Sequence, residues 1–214
     1  MSKIQQKIRI YFGADVAPGF TLVEFLLAAG IGLAVLAAMT AFFVGSSRLY
    51  GVQSDQALLG QEMRMALTQM GYDIRMAGFD PKGTGAFGFT TLGGAVCGPK
   101  SIALTLDANG DGELKGDREY AAYRLHEKKY LQRYSTGTQP WQPFTVKSKK
   151  IKMTECSFLY RLRNGTEIEN PAGRLGEIIA VRITLCGQVQ GRLGQEEKKN
   201  CLQKWVRVRN SFDF

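Results

Sequence analysis

The chain has 214 residues, 44% hydrophobic and 22% charged, which suits one folded domain with an appendage and excludes a disordered polypeptide. Its formal net charge of +9 permits contact with acidic lipid or nucleic acid without requiring it, and a soluble basic surface is the plainer account. The four cysteines, Cys97, Cys156, Cys186 and Cys201, lack CxxC spacing and the only histidine is His126, which leaves a structural zinc site poorly supported.

Residues 1–18 are mixed and weakly basic, with Lys3, Lys7 and Arg9 set against Asp15. From 20 to 44 the chain turns apolar. That run of about 25 residues exceeds the roughly 20 a helix needs to cross a bilayer core. The basic residues ahead of it favour a cytoplasmic N-terminus, with the remainder on the other side. It is too long for the core of a secretory signal, about 7–15 residues. Its one charge is Glu24, a carboxylate that is costly near the start of a membrane helix unless it has a partner. A cut after Gly19 would supply one: in a staggered array, the new α-amine of Phe20 on a neighbouring subunit lies about one turn from Glu24.

The string Gly19-Phe20-Thr21-Leu22-Val23-Glu24 resembles the type III signal of type IV prepilins. In those proteins a prepilin peptidase cleaves after the glycine and methylates the new terminal phenylalanine. Gly19, Phe20 and Glu24 match position by position. The resemblance implies a cleaved leader over 1–19, a transmembrane and filament-core half-helix over 20–45, and Glu24 as an assembly residue.

No proline occurs between Phe20 and Phe79, and the pattern predicts that the helix continues past the membrane. Over 46–78, Leu59, Met63, Ala66, Leu67, Met70, Ile74 and Ala77 make one apolar stripe, while Gln61, Glu62, Arg64, Gln69, Asp73 and Arg75 fall on other faces. Gly45, Gly51, Gly60 and Gly71 weaken the helix by up to about 1 kcal/mol each, making bending or local melting plausible near the first two, and Gly78 followed by Pro81 ends it. The stretches Ser46-Ser47-Arg48-Leu49-Tyr50 and Asp73-Ile74-Arg75-Met76-Ala77-Gly78-Phe79 resemble PilW-type minor pilins over about residues 19–80, and the rest resembles them in layout only.

The head, 79–214, begins with a glycine-rich stretch whose Gly83-x-Gly85-x-x-Gly88 lacks the preceding strand and following helix of a dinucleotide site, so it reads as a loop. Strands are predicted at 101–106, 119–125, 129–134, 151–162, 177–185 and 204–209. The second and third form a hairpin around His126-Glu127-Lys128, a loop surrounds Pro140 and Pro143, and Ile179, Val181, Ile183 and Leu185 share one face of the fifth. The expected fold is α+β, a pilin-like lollipop whose long helix packs on an antiparallel β-sheet. Export of the head would make two disulfides natural. Of the three pairings, Cys186–Cys201 with Cys97–Cys156 is favoured, the first closing a loop of about 15 residues.

Asp107-Ala108-Asn109-Gly110-Asp111-Gly112-Glu113 matches the opening of a calcium loop, with oxygen ligands at positions 1, 3 and 5 and glycine at 6. The twelfth position is Arg118 rather than glutamate, and Asp117 and Glu119 flank it as alternative closing ligands. A metal-free turn rich in Asp, Asn and Gly accounts for the same residues. Lys115 and Arg118 would keep Ca2+ affinity modest. Lys147, Lys149, Lys150 and Lys152, with Tyr130, Tyr134 and Trp141 upstream, suit either single-stranded DNA or, more simply, a lysine-guarded strand edge. His126 reads as a hairpin surface residue. No P-loop, GxSxG, HExxH or paired-carboxylate pattern occurs, so no catalytic residues are expected.

The resemblance implies a structural subunit: a minor pilin that primes or caps a type IV pilus, serving twitching motility or adhesion. Its partners would be prepilin peptidase, other major and minor pilins and the inner-membrane assembly machinery. Its location would be the bacterial inner membrane, then the pilus. A tip or uptake pilin binding DNA or a surface through a basic face, and a type II secretion pseudopilin, are the alternatives.

Overall fold

The apolar run and the amphipathic stretch after it, with no proline between them, form one 55-residue helix, α1 (Leu22–Met76), in this computed structural model, which describes residues 19–134, 136, 140–190 and 198–210. The leader charges Lys3, Lys7, Arg9 and Asp15 lie outside the described residues. The helix is unbroken through Gly45, Gly51, Gly60 and Gly71. The chain divides into two compact units, Met1–Tyr50 and Gly51–Phe214.

In the first unit the apolar side chains of α1, Phe25, Leu33 and Phe42 among them, are exposed. The helix is long and apolar enough to cross a membrane. Surface of this kind calls for lipid or another chain to cover it.

In the second unit every member of the predicted stripe, from Leu59 to Ala77, is buried. Two polar residues assigned to other faces, Glu62 and Asp73, are buried too. They flank the stripe and meet strand and loop groups rather than water: Glu62 accepts the Val146 N–H at 3.2 Å. The helix stops at Gly78, which adopts φ +72° and donates its N–H to Thr105 O at 3.1 Å. Positive φ is the usual reason for glycine just past a helix end.

Two four-stranded antiparallel sheets replace the single expected sheet. The first is a meander of short strands, β1 (Ser101–Thr105), β2 (Tyr120–Leu125), β3 (Leu131–Tyr134) and β4 (Trp141–Pro143). The second has the order β6-β5-β7-β8, with β5 (Ile151–Leu162), β6 (Glu167–Ile168), β7 (Ile178–Val189) and β8 (Lys198–Arg207). The two groups of strands pair only among themselves, and both close over the helix stripe. One core joins Met63, Met70 and Ile74 to Leu104, Tyr123 and Leu131 of the first sheet and to Phe158, Ile183 and Val206 of the second. The Tyr160 hydroxyl ties the layers by donating to Gly98 O and Ser101 O, each at 3.1 Å.

Three local expectations change. Pro143 lies in a strand, tolerated because β4 is an edge strand. Ile179 leaves the inward face: Arg161 pairs with Ala180 and Leu162 with Ile178, making Ile179 the extra residue of a bulge. Strand β8 begins at Lys198, well before 204.

Candidate functional site

The residues read from the sequence as a cleavage signal are exposed. Gly19 and Phe20 precede the helix in non-helical backbone, both exposed, with Phe20 at 86%. Exposed backbone outside regular structure is where proteolysis concentrates. Helix α1 is then capped by its own sequence. Thr21 Oγ1 accepts the Glu24 N–H at 3.2 Å, and Glu24 Oε2 accepts the Thr21 N–H at 3.0 Å and its hydroxyl at 3.1 Å. This reciprocal pair is a capping box, and it satisfies Glu24 within a single chain.

In the head, the loop between β1 and β2 winds around Asp107. That carboxylate is fully buried and accepts the N–H groups of Gly110 at 2.7 Å, Asp111 at 3.2 Å and Gly112 at 2.9 Å. Glycines at φ +77° and +74°, Gly110 and Gly112, make the winding feasible. Glu119, 1% exposed, accepts the N–H groups of Lys115 and Gly116 through Oε2, while its Oε1 is buried without a partner. Oxygens of Asp107, Asp111 and Glu119 lie within 4.8 Å of one another. Of the other predicted ligands, Asn109 exchanges hydrogen bonds with Asp111, and Glu113 forms an ion pair with Lys115. The Asp117 side chain lies outside the described residues. Asp107, Asp111 and Glu119 are therefore the residues that could hold a metal, and their donors are all oxygen.

The cysteines divide. Cys186 and Cys201, directly opposed on β7 and β8, form a disulfide with Cα atoms 4.1 Å apart. Cys97 and Cys156, the other favoured pair, are instead free buried thiols. Cys97 is turned toward Ala103 O and Thr90 O, at 3.2 and 3.6 Å, and Cys156 sits on the inward face of β5. Burial raises the pKa of Cys97 and pushes that of Cys156 up to about 12, which keeps both protonated and unreactive.

One lysine of the basic run meets one of its aromatics. Lys147 sits over the ring of Tyr130 at 5.2 Å, and Tyr130 in turn stacks on His126 at 4.5 Å. Tyr134 and Trp141 form a separate cluster with Arg124, whose guanidinium lies 3.9 Å over the indole. Lys150 faces Asp55 at 4.0 Å.

Two constellations escaped the sequence. Tyr123 donates to Asp73 Oδ2 at 2.5 Å, and Arg133 reaches both, at 3.2 and 3.5 Å, beneath a cleft of about 680 Å³ lined by Gln69, Arg118 and Phe144. Burial, reinforced by the Asp73 charge, raises the Tyr123 pKa. On the outer face of the second sheet, Trp205 carries Arg161 and Arg182 at 4.3 and 5.4 Å from its ring. Alternating Arg161 and Arg182 with apolar neighbours was the available signal for the latter; only register could supply Trp205.

A long apolar helix entering a β-sheet head defines the class as type IV pilin-like. A type IV-like pilin from Thermus thermophilus has the same fold, with a TM-score of 0.51 at 12% identity over 72% of this chain and 96% of that one. The family model described as Prepilin peptidase-dependent protein B (PpdB) matches residues 52–208, and the chain belongs to that family. Its fold and family are those of non-enzymatic structural subunits. No curated protein sequence matches the chain.

Proposed function

We propose that this chain is a PilW-type minor pilin of a type IV pilus, which primes or caps filament assembly after prepilin peptidase cuts between Gly19 and Phe20. The observation that carries the reading is the exposed, non-helical Gly19–Phe20 bond placed directly ahead of a 55-residue helix with Glu24 in its first turn. The name of its family, which states dependence on prepilin peptidase, points the same way. Before assembly the apolar half of α1 anchors the chain in the inner membrane, with the N-terminus cytoplasmic and the head outside. In the filament, the Phe20 α-amine of a neighbouring subunit neutralises Glu24, replacing the Thr21 hydrogen bonds that satisfy it in the free chain.

Mass spectrometry of the membrane and pilus fractions tests processing. The expected N-terminus is methylated Phe20, and an intact Met1 throughout would overturn the proposal. Placement in the pilus is tested separately, by recovering the head in sheared, purified pili at a small fraction of the major subunit. A chain that is processed but absent from pili, and needed instead for protein secretion, would be a type II pseudopilin.

A further inference from the structure

We infer that Asp107, Asp111 and Glu119 form a Ca2+ site that fastens the exit of α1 to the loop between β1 and β2. The inference stands on this loop and not on the role of the chain in a filament.

The loop assembles negative charge without cancelling it. Asp107 and Glu119 are both buried, yet among the described residues no lysine, arginine or histidine forms an ion pair with either of them or with Asp111. The neighbouring Lys82 donates to the backbone carbonyl of Asp111, not to its carboxylate. Buried carboxylates are costly unless a cation or sufficient hydrogen bonds offset them. The N–H groups on Asp107 and on Glu119 Oε2 orient those groups and do part of this. Glu119 Oε1 has no donor at all, though it is sealed from solvent. An acceptor held in this way, beside two further carboxylates, lacks only a cation.

Distance and donor type select the ion. Ca2+ binds oxygen at about 2.3–2.6 Å, so ligands of one ion stand at most about 5 Å apart, and the 4.8 Å spread of these oxygens fits. With no nitrogen or sulfur donor in the cluster, zinc is disfavoured. Ligands from a wound loop and from the 3-10 turn Asp117–Glu119 meet irregularly, which Ca2+ accepts and Mg2+, demanding near-octahedral order, does not. Asp111 is exposed and gives the ion its entry.

The same loop grips the segment leaving the helix. Asp107 donates its N–H to Phe79 O at 2.8 Å, and Lys82 reaches Asp111 O at 2.8 Å. A Cβ at Gly112 would stand 3.0 Å from Lys82 Cδ. Holding Asp107 and Asp111 on an ion therefore also holds residues 78–84.

The test uses the full chain in nonionic detergent, with CaCl2, MgCl2 or EDTA. Calorimetry should find one Ca2+ per chain, and the Tm should rise by about 5 °C or more at a hundredfold excess over Kd. Asp107→Ala is a poor probe, because its carboxylate also holds three backbone N–H groups. Asp111→Asn and Glu119→Gln are better. Each should weaken Ca2+ binding at least about tenfold while leaving the Tm in EDTA unchanged or higher, since one repelling charge has gone. A merely structural carboxylate would lower it. Amide exchange over 78–84 should slow with Ca2+. Absence of binding heat and of a Tm shift in the wild type would overturn the site. So would an equal response to Mg2+, or a wild-type response in both variants. Exchange over 78–84 that ignores Ca2+ would overturn the fastening.

Discussion

Replacing Asp73 by alanine is expected to cost about 3 kcal/mol, a large share of the 5–15 kcal/mol that typically holds a domain. The figure follows from what the substitution strands. Asp73 is 5% exposed and receives Tyr123 at 2.5 Å, Gln69 at 3.0 Å and Arg133 at 3.5 Å. Breaking a buried ion pair costs roughly 3–5 kcal/mol when the surviving charge is sealed in. The Arg133 side chain is 31% exposed, so water recovers part of its solvation and the charge contribution falls well below that range. The Tyr123 hydroxyl, fully buried, keeps its Arg133 donor but loses its acceptor, adding about 1–3 kcal/mol. Tyr123→Phe alone removes that donor cleanly and should cost only about 1 kcal/mol. In the Phe background Asp73→Ala should therefore cost about 1–2 kcal/mol less than in the wild type. Urea unfolding of the full chain in detergent, followed by fluorescence of Trp141 and Trp205, reads all four corners of the cycle. An Asp73→Ala loss within about 0.5 kcal/mol of zero, or strict additivity of the two changes, would refute the argument.

Thiol counting should give no alkylation of the folded chain at pH 8, and two alkylated residues, Cys97 and Cys156, after unfolding without reductant. Only reduction should release Cys186 and Cys201, at a cost of about 3 kcal/mol for a separation of 15 residues. Gly187→Ala should destabilise by about 1–3 kcal/mol, because its Cβ would stand 2.5 Å from Leu59 Cδ1 and 3.3 Å from Lys152 O. Adding Leu59→Ala should recover part of the steric cost, which the same urea titration measures. The Glu177 carboxyl is held below its ordinary range by the Arg174 guanidinium, which bonds it at 2.9 and 2.6 Å. A lowered pKa means that this pair contributes above the unfolded carboxylate value and that its contribution is lost as pH falls through the folded value. Arg174→Gln should move the Glu177 NMR titration back toward the ordinary range and weaken that pH dependence.

The stripe from Leu59 to Ala77 was legible because a 3.6-residue period is a local property, and Gly78 was legible as its end. The division into two sheets was not. It depends on which strands pair with which, and no local pattern reports that. Ile179 shows the same limit at one residue: alternation places it inward, and a bulge, set by pairing with Arg161 and Leu162, turns it out. Among the site residues, Asp107 and Asp111 could be read from spacing. Glu119 could be named only as one of several candidates, since its burial comes from the fold around it. Asp73 could be placed only off the stripe, because its partners Tyr123 and Arg133 lie 50 and 60 positions away.

The last turn of α1 is held by segments that the ribosome makes much later. Arg209 N–H donates to Arg75 O at 3.0 Å, and Val206 lies under Gly71, where an added Cβ would stand 3.4 Å from it. The helix stripe therefore stays partly uncovered until the final described strand has been made, and only that strand completes the head. During synthesis that part of the apolar stripe must be kept out of wrong company for the whole of that interval. Loss of the segment after β7 would strip the second sheet of its edge and leave the helix stripe open on the side that Val206 and Val208 cover.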